Sequence, residues 1–385
     1  MARVGIKASI LVFFKIGLLS AAPITVADVG GFGGDSAVAF SINNNGVVTG
    51  WALTPTGAAH AFREGLTGDP TDLNQSANES YAYAGNTAGT VAGVTYVDGQ
   101  SRATVWSGYG STDLGAGAAT DVNAVGQVVG GNGQAFLYAD GVLRELGTLP
   151  GGNWSSAYGL NDDGAIVGYG NVSGGGFRGF VYSSDTGLLF LGTLGGNNSY
   201  ATAINNAGQI AGFASTTDGN EHAFITAEGA PLMDIGTLGG SSSFAYGIND
   251  IGAVVGYSWV VDNSAQHAFL YYNGILRDLN SVISANSGWV LNQAYGINDE
   301  GDIVGSGTYQ GQTRAFLIDP VTFNSSPTST PEPPTLGMIA IGLVVSALLR
   351  SRAAKRAKNV KGPRGRSSYL STIALYQKNR VAAGR

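Results

Sequence analysis

The chain has 385 residues, 61 of them glycine, no cysteine, and a formal charge of −6. With 44% apolar and only 12% charged residues it is no disordered polymer, which needs the opposite balance. The missing cysteine excludes a disulfide framework, a thiolate metal site and a cysteine nucleophile. The charge is unevenly spread. Residues 23–330 carry 25 acids against six arginines and no lysine, a net charge near −19. The first 22 residues hold three basic groups and no acid, and eleven basic groups without an acid follow from Arg350 onward. So acidic a segment repels phosphate backbones and excludes nucleic acid as a partner. The basic ends sit where membrane topology signals sit.

In chain order, Arg3 and Lys7 precede an apolar run from Ile10 to Leu19, broken by Lys15 and closed by Ser20-Ala21-Ala22. This is the pattern of a secretory signal peptide over residues 1–22. Residues 23–321 then repeat one unit seven times, and the repeat governs the fold. Its reference asparagines are Asn43, Asn86, Asn123, Asn161, Asn205, Asn249 and Asn298, spaced 37 to 49 residues apart. Three residues after each comes a glycine: Gly46, Gly89, Gly126, Gly164, Gly208, Gly252 and Gly301. A second glycine lies seven after the asparagine, an alanine four before, and a β-branched residue five after, in every copy.

Asn-x-x-Gly between strand-like runs reads as a tight hairpin, since both residue types tolerate positive φ. The β-branched position fits a packed strand. The alanine, with another small residue usually two further on, marks a strand where space is scarce, as around a propeller axis. Two further strands per unit are centred on segments such as His267–Tyr271 and Leu276–Leu279. Four short strands in about 40–45 residues make a propeller blade. The fold expected is therefore all-β, a seven-bladed propeller; an open β-solenoid is the competing architecture. The last unit stops at Asp319 without a fourth strand, so a strand near Ile24 to Val29 can complete it and leave no open edge.

Residues 322–334 are a Ser/Thr/Pro linker containing Pro331-Glu332-Pro333. Residues 335–349 form an uncharged apolar run, read as a short transmembrane helix. Residues 350–385 are basic, beginning with Arg350 and Arg352, and would hold that end in the cytoplasm.

Pro331-Glu332-Pro333, the apolar run and the arginine cluster together resemble the PEP-CTERM sorting signal, over roughly Thr330 to Arg356. The resemblance implies processing by an exosortase at the inner membrane of a Gram-negative bacterium that makes exopolysaccharide. The chain departs from that pattern by continuing from Ala357 to Arg385. The repeat units resemble the HAF family of extracellular repeats over roughly Val26 to Asp319. The His-Ala-Phe triplet is intact at His60, His222 and His267, and modified at Gln134, Arg178, Arg314 and, most heavily, Arg102-Ala103-Thr104. That family lends no catalytic residues and no cofactor to this chain.

The residues themselves offer little chemistry. The three histidines fall at one repeat position, which assigns them to structure rather than to a metal. Acidic turns such as Asn161-Asp162-Asp163-Gly164 and Asn298-Asp299-Glu300-Gly301 each supply too few oxygens for calcium and read as solvated tips. Phe40, Tyr83, Tyr158, Tyr246 and Tyr295, three before the asparagines, read as core between blades. Trp51, Trp106, Trp154, Trp259 and Trp289 fall nearer connections and are the candidates for glycan contact. Gly174-Gly175-Gly176 reads as a hairpin connection. The expectation is an exported, non-enzymatic surface or matrix protein that binds polysaccharide or other surface components. Two alternatives stand beside it: a secreted glycan-cleaving propeller using acids such as Asp121, and a calcium-dependent adhesin.

Overall fold

The computed structural model describes residues 24–319, apart from 66–68, 75, 77, 109 and 227–230. The signal peptide, the Pro331-Glu332-Pro333 motif, the apolar run and the Arg350/Arg352 cluster lie outside the described residues. Among the described residues no helix is long and apolar enough to cross a membrane.

The described residues form seven four-stranded antiparallel sheets, one per repeat, arranged as a closed seven-bladed propeller. In each blade the strand ending before the reference asparagine is innermost, and inner strands of successive blades touch all the way round, blade 7 against blade 1. The inner strands are Ala37–Ile42, Ser80–Gly85, Ala118–Val122, Ser155–Leu160, Gly195–Ile204, Gly239–Ile248 and Trp289–Ile297. Every second strand starts at the β-branched position: Val48, Val91, Val128, Ile166, Ile210, Val254 and Ile303.

Blade 7 closes as the sequence implies. Val26–Asp28 pairs antiparallel with the third strand of that blade, Val26 opposite Ile318 and Asp28 opposite Phe316. Arg314 clamps Asp28 at 2.8 Å, and Val29 is buried. Ends about 290 residues apart thus share one sheet, and the edge that Gln312–Ile318 would otherwise expose is covered.

The second repeat glycine is a matter of space. A Cβ on Gly256 would lie 1.9 Å from the Phe244 carbonyl oxygen and 2.9 Å from Ala245 Cα, and the other six copies meet the same crowding. Opposite six of the seven glycines stands the aromatic of the His-Ala-Phe triplet, as in Phe62↔Gly50 and Phe269↔Gly256. Phe62, Phe136, Phe180, Phe224, Phe269 and Phe316 are at most 1% exposed, each burial stabilising by about 2–3 kcal/mol. Blade 2 has Thr104 at this position, and Trp106, two residues on, fills the space instead, 2.8 Å from where a Gly93 Cβ would sit. Trp106 and Trp289 are therefore core residues rather than contacts near connections.

The residue two before each asparagine, small in six blades and Asp121 in blade 3, sits at a β-bulge present in every inner strand. A Cβ on Gly296 there would lie 3.0 Å from Ser41 Cα in the next blade, which confirms the shortage of space near the axis.

Candidate functional site

Two faces of the disc differ in chemistry. One carries the seven Asn-x-x-Gly turns. The glycine of each turn has positive φ, from 72° at Gly46 to 92° at Gly301. None of the seven asparagines does, so the hairpin forms with only the glycine using the tolerance for positive φ that both residue types have. The asparagine is kept for its amide. In blade 6, Asn249 Oδ1 accepts from Ala253 N at 2.9 Å, which caps its own turn. Its Nδ2 donates across the blade boundary to the Asn298 carbonyl at 2.9 Å. The same donation runs Asn43 to Asn86, Asn86 to Asn123, Asn123 to Asn161, Asn161 to Asn205, Asn205 to Asn249, and Asn298 back to Asn43, at 2.8–3.2 Å. Seven side chains thus form one closed ring of inter-blade hydrogen bonds around the axis. Six of the seven are buried, where a lost partner is most costly.

Above this ring lies a shallow depression of about 210 Å³. At its mouth Asp162, Asp250 and Asp299 each accept a backbone N–H bond from the preceding blade at 2.8 Å, and Asp250 and Asp299 also bind the Asn206 and Asn44 amides. Their oxygens serve the seam between blades. Among the described residues no group of three or more His, Asp or Glu side chains is placed to hold a metal ion.

Asp121, on the inner strand of blade 3, occupies a small-residue position. Its two oxygens accept from Val122 N and, in the next blade, Leu160 N, both at 2.8 Å. Burial pushes its carboxyl up to about 6, against those two bonds. Both oxygens are engaged with backbone, as a stitch between blades needs and a proton-transfer group does not.

The histidines pair with aspartates of their own fourth strands: His60 with Asp72, His222 with Asp234, and His267 with Asp278, at 2.7–2.8 Å. Arg102 and Arg314 hold Asp113 and Asp28 in the same way. The triplet's first position is thus one that holds a fourth-strand acid. A second stitch, missed by the sequence reading, joins third strands to the next inner strand. Buried Ser80, Ser155, Ser199 and Ser243 each accept from the backbone N–H at the triplet's middle position at 2.8–3.0 Å.

The opposite face is aromatic. Tyr200 and Phe213 stand opposite each other across two strands of blade 5, stacked at 4.6 Å, and Phe244 and Tyr257 do so in blade 6 at 4.8 Å. Phe213 meets Phe244 at 4.9 Å and Tyr200 meets Tyr169 of blade 4 at 4.8 Å, so the rings run unbroken across three blades. Trp154 and Phe177 extend the run at its blade 4 end. Phe177 is exposed and the other rings are half-buried. Polar groups border this end: Asn171 Oδ1 accepts from Asn153 N and Trp154 N, and Asn198 Oδ1 accepts from Phe177 N.

The aromatics three before the asparagines do not form separate inter-blade cores. Tyr246, Tyr295, Phe40 and Tyr83 touch one another in series across blades 6, 7, 1 and 2, at 5.3–5.4 Å. Burial, with neighbouring Tyr96, Tyr81 and Tyr158, pushes the Tyr83 hydroxyl up to about 12. Tyr158 belongs to blade 4, so these rings reach toward the axis. Tyr257 and Tyr246, at 5.9 Å, join the axial rings to the outer wall.

Fold and site together define a closed seven-bladed propeller with an amide-sealed turn face and an aromatic opposite face. No family model matches the chain, and no curated protein does. Solved structures match the chain at low identity. A puromycin-hydrolysing peptidase of Mycobacterium tuberculosis is 12% identical, with 77% of this chain and 53% of that one covered, at a TM-score of 0.48. TolB from Acinetobacter baumannii is 13% identical over 74% and 65%, at 0.37. A gluconolactonase from Xanthomonas campestris is 14% identical over 65% and 90%, at 0.39. The chain thus spans about half of the peptidase and about two thirds of that TolB. The activities in these names belong to those proteins.

Proposed function

We propose that this is an exported, non-enzymatic surface or matrix protein whose aromatic face binds polysaccharide. The observation that carries the reading is the run of solvent-reaching rings across blades 4 to 6, bordered by amides. Sugar rings present apolar C–H faces that pack on aromatic faces, while amides take their hydroxyls. The histidines and Asp121, the side chains an enzyme would use, are engaged in structural pairs. Export and sorting rest on the sequence: a signal peptide over 1–22, and Pro331-Glu332-Pro333 followed by an apolar run, Arg350 and Arg352, read by an exosortase at the inner membrane.

The test is co-sedimentation with exopolysaccharide purified from the native host. Trp154→Ala and Tyr200→Ala should each weaken binding at least tenfold; absence of binding by the unaltered protein overturns the reading. The sorting arm is an intact mass from fractionated cells. A chain ending near residues 331–333 supports it, and a chain ending at Arg385 in the inner membrane refutes it.

A further inference from the structure

We infer that the polymer taken by the aromatic face is an amino sugar with free ammonium groups, its rings stacked on blades 5 and 6 and its ammonium groups met by Glu221, Asp218 and Asp262. This deepens the polysaccharide-binding reading and rests on it.

The inference starts from where charge lies at this end of the blades. The paired wall positions are Tyr200 and Phe213 in blade 5 and Phe244 and Tyr257 in blade 6. Strand register places one more row of side chains between these rings and the connection that closes each blade on this face. In blade 5 that row is Ser215 opposite Glu221, beyond Phe213 opposite Ala223. In blade 6 it is Trp259 opposite Gln266, beyond Tyr257 opposite Ala268. Residues two apart in a strand share a sheet face and lie about 7 Å apart, so Glu221 stands on the ring-bearing face, one row from Phe213. Next come the connections, residues 217–220 in blade 5 and 261–265 in blade 6, which carry exposed Asp218 and Asp262. The equivalent connections hold an acid in blades 2, 5 and 6, as Asp98, Asp218 and Asp262, and none in blades 1, 3, 4 and 7. Both doubly aromatic pairs thus lie beside a connection acid.

No arginine offsets these acids. Among the described residues the ion pairs engage Asp28, Asp72, Asp113, Asp234 and Asp278 instead. Arg63 reaches the Gly89 carbonyl in a turn of the other face. Arg102, Arg178 and Arg314 stand opposite Thr95, Gly170 and Gly307, on the sheet face away from the wall positions. Arg144 and Arg277 stand opposite Leu137 and Leu270, one row nearer the turns than the wall positions. The His222 imidazole lies near Glu221 and Asp218 but is held by Asp234 at 2.8 Å. Glu221 Oε1 accepts from Ser215 Oγ at 2.8 Å, and its buried Oε2 has no partner. Burial pushes this carboxyl up, against the Ser215 bond and the His222 ring. Burial and the Glu221 charge together push the Tyr200 hydroxyl up. An inward carboxylate oxygen with nothing to bond is costly, and a ligand ammonium that draws the carboxylate outward relieves that cost. Aromatic faces attract the same charge through their quadrupole. A sugar stacked on the wall meets both demands when an amine stands on its ring. A polymer of acidic sugars is repelled by a segment with a net charge near −19.

The test pairs β-1,4-linked hexamers of glucosamine and of N-acetylglucosamine, which share a backbone and differ in their ammonium groups. Each is titrated into the full-length protein by calorimetry, in mildly acidic buffer that protonates the amines. The unaltered protein should bind the glucosamine hexamer about tenfold more tightly, an advantage that shrinks with added salt. Combining Asp218→Asn, Asp262→Asn and Glu221→Gln should remove the advantage and leave binding of the N-acetylglucosamine hexamer unchanged, since every ring is kept. Combining Asp140→Asn, Asp163→Asn and Asp185→Asn removes equal charge from the turn end of the blades and should leave the advantage in place. Phe213→Ala should weaken both hexamers. Equal affinity for the two hexamers, an advantage that survives the first combination, or one that the second removes as fully, overturns the site while leaving polysaccharide binding intact. So does failure of both hexamers to bind a protein that still binds host exopolysaccharide. If neither hexamer nor host exopolysaccharide binds, the functional reading itself fails.

Discussion

Asn205→Ala tests the claim that the blades are held in register by side-chain amides. Asn205 is 4% exposed. Its Nδ2 donates to the Asn249 carbonyl at 2.8 Å and to Gln209 Oε1 at 2.9 Å, and its Oδ1 accepts from Gln209 N at 2.8 Å. Alanine removes all three bonds and leaves the Gln209 N–H without its acceptor. At about 1 kcal/mol net per bond, and somewhat more for the stranded donor, the cost is about 3–4 kcal/mol. In a domain of this size that lowers Tm by roughly 5–8 °C. Asn205→Asp keeps the acceptor but turns a carboxylate oxygen toward the Asn249 carbonyl. It should be worse than alanine at neutral pH and recover on acidification, when the protonated carboxyl can donate; the raised folded-state pKa means stability is lost as pH rises through it. The control is Asn206→Ala, one residue on, whose exposed bonds to Asp162 and Asp250 should be worth less than about 1 kcal/mol. Asn43, half-buried rather than buried, should cost less than Asn205. Differential scanning calorimetry reads all four; an Asn205→Ala midpoint equal to that of Asn206→Ala refutes the amide ring as the fastening.

Gly256→Ala should lose about 3 kcal/mol or more in urea titration, because the new Cβ meets the Phe244 carbonyl oxygen, whereas Gly274→Ala, at φ 79° in open space, should lose only about 1 kcal/mol. Equal losses would show that the repeat glycine is not kept for space. A chain beginning at Gly34 lacks the closing strand and the Asp28–Arg314 clamp, and exposes the edge of Gln312–Ile318. It should melt lower and self-associate on size exclusion, and an unchanged monomer would argue against closure by that strand. Asp121, raised to about 6 by burial, disfavours its ionised form in the folded state, so its contribution is greatest below the ordinary carboxylate range and falls as pH rises through about 6, by up to about 3 kcal/mol. The stability difference between the unaltered protein and Asp121→Asn should shift by that order between pH 4 and pH 8; a constant difference would show that Asp121 is not desolvated.

Ring closure is legible in the sequence because one unit lacks a strand and a spare strand precedes the first unit. The crowded inner strand is legible too, since alanine and a following small residue recur wherever backbones of adjacent blades approach. The role of the asparagine is not, because Asn-x-x-Gly also signals any tight hairpin, and only the position of the next blade shows where Nδ2 points. Tyr200 and Phe213 lie thirteen residues apart in different strands and meet only through the register of the sheet. Trp106 reads as a connection residue until the missing aromatic at Thr104 is seen to leave a space that it fills.

The positions that recur in all seven units are consumed by the frame: the asparagine by the amide ring, the first glycine by its turn, the second by the inner-strand carbonyl. A residue committed to holding neighbouring blades together cannot also be varied to recognise a ligand. Recognition therefore has to use positions the frame leaves open, and the paired positions on the aromatic face behave that way. They read Val38 and Trp51 in blade 1, Tyr81 and Val94 in blade 2, Ala118 and Gly131 in blade 3, Ser156 and Tyr169 in blade 4, Tyr200 and Phe213 in blade 5, Phe244 and Tyr257 in blade 6, and Gln293 and Ser306 in blade 7. Both positions are aromatic only in the adjacent blades 5 and 6, one of the two is aromatic in blades 1, 2 and 4, and neither is in blades 3 and 7. A requirement of folding would act alike on every blade, so this uneven enrichment, with its doubly aromatic pairs side by side in blades 5 and 6, is what a binding surface adds to a symmetric frame.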